Sequence, residues 1–419
     1  MKLQRCKGMR DLSPEEMAAF RYAEGVFRQC CDGWGYHEVR TPTIEYLHLF
    51  TSAGTLTPGM LGRVYSFLDW DGWSGERVVL RPDGTIPVAR LYTEAQEDKG
   101  LARLYYATSI FIFEETGEKT RERWQGGAEL IGAGSPLADA ELILLAGEVL
   151  SRLGIKNVEM RLSHAGLVRA LLAKLGLDAG EQHRMFDRIL DGDTEALSKV
   201  SGGRPEMESA WRSLLGMQGQ SAGFLRNLKA LLARDMPEIS PYLDDFMKTV
   251  SMLDAMKCGY RIDIASGAGF EYYTGMIFQL YAGGEKIGGG GRYDALIPAM
   301  GGGDVPASGF ALYFDRLMEM MGGRAPGGEK PARITVRLAS EGAVKEAFGV
   351  AGRLREAGYI AELDLDGGRT VAGKVIEVRA EAPLYTVKDA SGKKMLETSG
   401  ADEALKLLEG NGGSEDSPA

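Results

Sequence analysis

The chain has 419 residues, 44% hydrophobic and 26% charged, the proportions of an ordinary globular protein with room for two or three domains. Its formal charge of −10 and pI of about 5.2 remove any general electrostatic case for binding nucleic acid. No apolar run approaches the ~20 residues of a membrane helix, and MKLQRCKGMRDLSPEE has no signal-peptide core, so a cytoplasmic location without a membrane partner is expected.

From the N-terminus, Ser13-Pro14-Glu15-Glu16 supplies a cap, a proline suited to the first turn and an acid placed to close a capping box. Met17, Phe20, Ala23, Phe27 and Cys30 recur at helical spacing, which predicts a helix over 13–33 ended by Gly33 and Gly35. HEVRTPTIEY (37–46) predicts a strand, and Pro42 in its middle argues for an edge or interface position. ERVVL (76–80) predicts a strand, and RPDGTIPVAR turns into a helix. Residues 103–115 and 123–132 read as two strands joined by TGEKTRE. Ser135-Pro136 opens a helix that ends near Gly154, and VEMRL is a strand. SHAGLVRALLAKLGL reads as a capped amphipathic helix closed by Gly176. Residues 177 to about 250 are mostly helical in pattern and read as an insertion, with Met185, Phe186, Ile189 and Leu190 as core at helical spacing.

IDIASGAGFEYYTGMIFQLY is aromatic-rich and ends in a strand over 276–281. The glycine run 288–291 lets backbone come close to a ligand or to another strand. PASGFALYFDRLMEM predicts a helix from about 311 to 321. GGRAPGGEKPA (322–332) is a linker and domain boundary. Beyond it ITVRLAS, a helix at about 342–357 and IAELDL form a β-α-β unit, followed by strands in VIEVRA and LYTVKDA and a helix in ADEALKLLEG. The last residues, 410–419, read as a disordered tail. Neither the cysteines (Cys6, Cys30, Cys31, Cys258) nor the histidines (His37, His48, His164, His183) have paired ligand spacing, so no metal is expected, and Cys30-Cys31 read as packing residues.

Taken together, these runs resemble the core of class II histidyl-tRNA synthetases and of their paralogue, the regulatory subunit of ATP phosphoribosyltransferase. EYYTG resembles that family's histidine-pocket loop, GGGGRYD its glycine-rich strand, and GFALYFDRL its third class motif. The paired strands over 103–132 resemble the second motif, and the first helix, strand and Pro42 resemble the first, which forms the family's dimer interface. The resemblance covers about residues 5–320. It implies an α+β fold: a class II aminoacyl-tRNA synthetase-like antiparallel sheet flanked by helices over 1–321, carrying the helical insertion. A small C-terminal α/β domain over 333–409 resembles a shortened anticodon-binding domain.

The resemblance also assigns a site. Asp83 and Thr85 of RPDGT fall where the family contacts the amino-acid ammonium, aspartate standing in for the synthetase glutamate. Gln125 and Glu129 fall on the pocket strand, and Tyr272 and Tyr273 near the imidazole. Carboxylate, amide and phenol groups around one pocket suit a cationic, hydrogen-bonding ligand such as histidine. The same groups would equally satisfy one another in a pocket that has lost its ligand. The catalytic half departs from the pattern. Phe111-Ile112-Phe113-Glu114 stands where a synthetase has Phe-Arg-x-Glu, and Ala268 stands where a second arginine precedes the tyrosines. Tyr313 occupies a position where glycine gives room for adenosine, while Arg316 remains, to pair with Asp315 or cap its helix. Neither Ile112 nor Ala268 can form a charged fork, and losing one such contact costs about 10²- to 10³-fold in rate. No catalytic residue is therefore assigned, unless Arg121 or Arg123 compensates.

RPDGTIPVAR and SHAGLVRALLAKLGL resemble the regulatory paralogue better than the synthetase. No loop pairs two acids with hydroxyls as a phosphoribosyltransferase site would, so that site should lie on another chain. The resemblance implies a non-catalytic regulatory subunit with no cofactor. It would partner the short-form ATP phosphoribosyltransferase catalytic subunit, with histidine as effector, as a homodimer within a larger hetero-oligomer and without tRNA. The alternatives are a divergent histidyl-tRNA synthetase and an amino-acid-binding module serving another pathway.

Overall fold

Ser13 starts the first helix as its neighbours dictate: its Oγ accepts from the Glu16 N–H at 3.2 Å while the Glu16 carboxylate accepts from the Ser13 N–H at 2.7 Å. The computed structural model describes residues 4–52, 56, 61–69, 75–95, 100–112, 120–173, 216, 218–264, 273–323, 331–365 and 373–409. They fall into two units, Met1–Ala325 and Pro326–Ala419.

The first unit opens with α1 (Pro14–Gly33), β1 (His37–Glu38), β2 (Ile44–Tyr46), α2 (Leu47–Ser52), β3 (Ser66–Leu68), β4 (Arg77–Leu80) and α3 (Thr85–Glu94). It continues through β5 (Ala102–Phe111), β6 (Glu122–Ile131), α4 (Pro136–Arg152), β7 (Glu159–His164) and α5 (Ala165–Ala173). Then come β8 (Gln218–Gly219), α6 (Ala222–Leu232), α7 (Ser240–Ala255), β9 (Arg261–Asp263), β10 (Met276–Ala282), β11 (Glu285–Arg292), α8 (Leu296–Ala299), β12 (Ala307–Tyr313) and α9 (Phe314–Met320). A nine-stranded sheet runs β1-β5-β6-β12-β11-β10-β7-β9-β8. Its neighbours are antiparallel except β1–β5 and β7–β9. A three-stranded sheet runs β2-β4-β3.

Alternation along β6 gives the large sheet two faces. Trp124, Gly126, Ala128 and Leu130 face the helices, where Phe20 and Phe27 of α1 and Phe314 of α9 meet edge to face at 5.7 Å. Gly126 leaves the space that the Phe314 ring occupies. Gln125, Gly127 and Glu129 point to the opposite face, which holds the site. The glycine run is packed by strands on both sides: a side chain on Gly290 would collide with the Gly309 carbonyl of β12, and one on Gly291 with the Met276 carbonyl of β10.

Two local expectations are corrected. The strand over 37–46 breaks at Pro42, and β1 and β2 enter different sheets, each at an edge. Proline has no N–H to carry a ladder through, and its carbonyl instead accepts from Arg81 at 3.0 Å. The helix expected from Ala311 starts at Phe314, because 307–313 is a central strand hydrogen-bonded to β6 and β11 together. At the start of α5 the cap is His164, whose Nδ1 accepts from the Leu167 N–H at 3.3 Å, while Ser163 donates to the Ile264 carbonyl at 2.8 Å. Met185, Phe186, Ile189, Leu190 and Gly176 lie outside the described residues, as does the tail 410–419.

The second unit comprises β13 (Arg333–Leu338), α10 (Val344–Glu356), β14 (Ile360–Leu363), β15 (Lys374–Val378), β16 (Tyr385–Lys388), β17 (Lys394–Thr398) and α11 (Ala401–Glu409). Its sheet runs β14-β13-β15-β16-β17, with β13 parallel to both neighbours. Ile334, Val336, Val350, Leu354, Ile376 and Val387 form its core. Sequence reading missed β17, whose KMLET run alternates weakly and carries two charges, Lys394 and Glu397, in five residues.

The crowding around Gly290 predicts that Gly290→Ala destabilises the first unit by about 1–3 kcal/mol, since backbone on the facing strand cannot yield. Gly147, inside α4 with open space at its Cβ position, is the contrasting site, and Gly147→Ala should stabilise by about 0.5–1 kcal/mol. Urea unfolding followed by tryptophan fluorescence checks both, because Trp34, Trp70, Trp73, Trp124 and Trp211 all belong to the first unit.

Candidate functional site

The turn from β4 into α3 is knitted down by Arg81, whose buried guanidinium donates to the carbonyls of Thr41 at 2.9 Å, Pro42 at 3.0 Å and Ser109 at 2.8 Å. That turn presents Asp83-Gly84-Thr85 to the site face. Asp83 Oδ2 caps α3 by accepting from the Ile86 N–H at 3.0 Å. Gly84 has no room for a side chain because the Tyr106 ring lies against it, and its N–H donates to Gln125 Oε1 at 3.0 Å. The Tyr106 hydroxyl donates to the same oxygen at 3.2 Å. Thr85 Oγ1 donates to Glu129 Oε1 at 2.7 Å, and the Tyr293 hydroxyl donates to Glu129 Oε2. Gly309, directly across from Glu129 on β12, leaves the volume that this carboxyl fills.

The structure therefore gathers Asp83, Thr85, Gln125 and Glu129 into one buried cluster, with Tyr273 buried nearby against Gly291. Tyr272 and Ala268 lie outside the described residues, as do Phe113 and Glu114. Sequence reading did not single out Tyr106 or Tyr293. Tyr106 was recoverable from alternation, since the register sets it beside Gly127 on the site face, but Tyr293 needed the chain to turn after β11.

Burial dominates the electrostatics. It pushes the Asp83 carboxyl up, while the N–H groups of Ile86, Thr85 and Gly84 and the Gln125 side chain pull the other way. Burial also holds Glu129 far above the ordinary carboxylate range, against the hydroxyls of Tyr293 and Thr85, and Asp83 adds repulsion. Tyr106 and Tyr273 are raised by burial first, then by neighbouring acids and Tyr313. Asp83 Oδ1 is buried with no hydrogen-bond partner among the described residues. Acceptors of this kind suit a ligand that brings a cation and N–H donors. Among the described residues no three His, Cys, Asp or Glu side chains gather as a metal would require.

The positions that matter for phosphoryl chemistry look different. Ile112, just past β5, forms a bridge with Val64. The stem of Arg121 lies against Gly8, its N–H donates to the Gly8 carbonyl at 2.8 Å, and Nη1 reaches the Tyr65 hydroxyl at 3.4 Å. Arg123 shares the Gln125 side of β6 and feels Asp315 and Arg316 electrostatically. The expected Arg316–Asp315 pair is corrected. Asp315 accepts from Arg10 at 2.6 Å and from the Trp124 N–H at 2.8 Å, whereas Arg316 pairs with Glu319 at 3.0 Å and Glu285 at 3.6 Å. Tyr313 stands directly across from Gln125.

Comparison with known proteins gives the chain's relatives. Residues 8–317 match the histidyl-tRNA synthetase family. The chain is 51% identical over 409 residues to an ATP phosphoribosyltransferase regulatory subunit of Dehalococcoides mccartyi strain CBDB1, covering 97% of this chain and 99% of that one. It is 37% identical over 327 residues to a histidine–tRNA ligase of Methanosarcina acetivorans, covering 76% of each. A solved structure described as an ATP phosphoribosyltransferase regulatory subunit/histidyl-tRNA synthetase from Bacillus halodurans superposes with a TM-score of 0.76 at 25% identity, covering 91% of this chain and 100% of that one.

Asp83 offers a test of this electrostatic picture. Its folded pKa lies above the ordinary 3.8, so the folded protein holds the extra proton, and stability falls as pH rises from that value through the folded one. Asp83→Asn keeps the acceptor for Ile86 and should flatten that decline, whereas Asp83→Ala should lose the cap at about 1 kcal/mol. Thermal unfolding from pH 4 to 8 measures both effects.

Proposed function

The chain belongs to the histidyl-tRNA synthetase family and, within it, to the ATP phosphoribosyltransferase regulatory subunits, and on that footing we propose that it is the non-catalytic, histidine-responsive partner of a short-form ATP phosphoribosyltransferase catalytic subunit. The observation that carries the reading is Ile112. Where phosphoryl chemistry calls for a guanidinium aimed at developing charge, this chain has an isoleucine, whose backbone forms an antiparallel bridge with Val64. The pocket beside it nevertheless keeps its buried carboxyls, amide and phenols. In this reading histidine sets its ammonium on Asp83 Oδ1 and Thr85, and its imidazole toward Gln125, Glu129, Tyr272 and Tyr273. Feedback then requires that histidine bind one arrangement of the assembly more tightly than the other. The proposal includes no cofactor and no tRNA, and a cytoplasmic location. Among the described residues no helix is long and apolar enough to cross a membrane.

The small sheet supports a homodimer within the larger assembly. Register sets Ile44, Tyr46 and Phe67 on one face, and they are 48%, 43% and 43% exposed. Apolar side chains grouped on a sheet face are what a second copy would cover.

Mixed with the short catalytic subunit, the chain should switch on transferase activity that histidine then inhibits. Asp83→Ala should preserve the activation and shift the inhibitory histidine concentration upward by about 10-fold or more, the loss of one charged hydrogen bond. Activity and inhibition that are the same without the chain would sink the reading. Histidine-dependent ATP–pyrophosphate exchange by the chain alone would favour the synthetase alternative, for which Arg123 on the Gln125 side of β6 is the supporting feature. Tyr46→Lys should shift sedimentation toward the monomer mass.

A further inference from the structure

The insertion helix α7 reaches the pocket through one histidine. His164 ends β7, pairs across the sheet with Met276 of β10, and is buried. Its Nδ1 is taken by the Leu167 N–H, so its remaining proton sits on Nε2, which faces Asp245 Oδ2 of α7 at 3.8 Å. Two rings of α7 close over it, Tyr242 with its centroid at 5.6 Å and Phe246 at 6.1 Å. The fit leaves no slack: a side chain on Gly166 would strike the Tyr242 ring at 2.6 Å and His164 Cε1 at 3.2 Å.

The next residue carries the contact onward. The Ala165 N–H donates to the Gly275 carbonyl at 2.8 Å. Gly275 is caught from the other side by Arg292, whose carbonyl accepts from the Thr274 N–H at 2.7 Å and whose Cδ would lie 2.7 Å from any side chain at 275. Arg292 is itself immobilised. It pairs with Asp139 of α4 at 2.7 Å, both side chains being more than nine-tenths buried, and donates to the Ser135 carbonyl at 2.7 Å. Thr274 Oγ1 also accepts from the Asp294 N–H at 2.9 Å. Thr274 and Gly275 thus sit between a fixed wall, Arg292 with α4, and a wall that belongs to α7 through His164 and Ala165. Tyr273, in the pocket, is the residue before them.

We propose that the helical insertion is mechanically tied to the amino-acid pocket through His164, with Tyr242 and Asp245 of α7 acting as positioning residues for Tyr273. Neither residue touches a ligand in this arrangement. Asp245 and Tyr242 are both partly exposed, so a partner seated on α7 could shift them and thereby bias the pocket, and pocket occupancy would bias α7 by the same amount. The ligand half of the inference rests on the reading of the pocket as a histidine site, whereas the mechanical half does not.

Two measurements on the full chain separate the halves. Calorimetric titration with histidine should show Asp245→Asn and Tyr242→Ala weakening binding by about 2- to 30-fold, the range of coupling seen for residues off the ligand, while Tyr242→Phe binds like the parent. Hydrogen exchange without ligand should show the Ala165 and Gly275 amides opening faster in both weakened variants and unchanged in Tyr242→Phe. If the parent protein binds no histidine, the pocket reading fails, and exchange alone decides the coupling. Unchanged exchange at those amides in both Asp245→Asn and Tyr242→Ala overturns the proposal, and so does unchanged histidine affinity in both if the parent binds.

Discussion

Glu129 is held in the interior of the large sheet by two hydroxyls, Thr85 on one oxygen and Tyr293 on the other. An ionised carboxylate in such a place is costly unless charge or strong donors compensate it, and hydroxyls compensate only in part. Asp83 adds a second buried acid to the same cluster. The surrounding design follows from this need. Gly309 leaves the carboxyl its volume, Gly84 lets the turn come down onto Tyr106, and Gln125 fixes the turn's N–H. The cluster favours either a proton or a ligand that arrives with positive charge.

Where α4 meets the same sheet, the same problem is solved differently. Asp139 is also buried, and there Arg292 supplies the countercharge: burial still wins, but against the pull of Arg292 it leaves the carboxyl raised to about 7. Burying an ion pair of this kind adds little net stability, yet removing one partner leaves the other uncompensated. The pair is therefore better understood as a fixed post against which Thr274 and Gly275 are set. One acid cluster is paired and serves as scaffold. The other lacks a paired cation among the described residues.

The apolar end of β5 completes the contrast. A site that handled triphosphate would gather positive side chains there, whereas Ile112 pairs with Val64, Arg121 lies along Gly8, and Arg316 is engaged by Glu319 and Glu285. Amino-acid recognition and phosphoryl chemistry use different residue types on neighbouring strands, so the second set can be lost while the first persists. A regulatory subunit is a natural outcome of that separability.

Much was legible in the sequence because it depends on local rules. The capping box at Ser13, the helices that open at Pro14 and Pro136, the paired strands of the second motif and the glycine strand follow from spacing and residue type. The candidate residues Asp83, Thr85, Gln125, Glu129 and Tyr273 came from resemblance, and the fold brings them together. Pro42 was read as an edge signal, but that it splits one strand between two sheets depends on Arg81 arriving to take its carbonyl. The helical pattern at Ala311 lost to strand pairing because β6 and β11 offer hydrogen bonds on both sides, which no local propensity can outweigh. Sequence alone determined which chemical groups stand at each position of this protein, since those are matters of residue identity. Tertiary structure alone decided that Tyr293 would close over Glu129, that Arg10 would claim Asp315, and that His164 would meet Asp245 of α7, because each joins segments far apart in the chain that only packing can bring into contact.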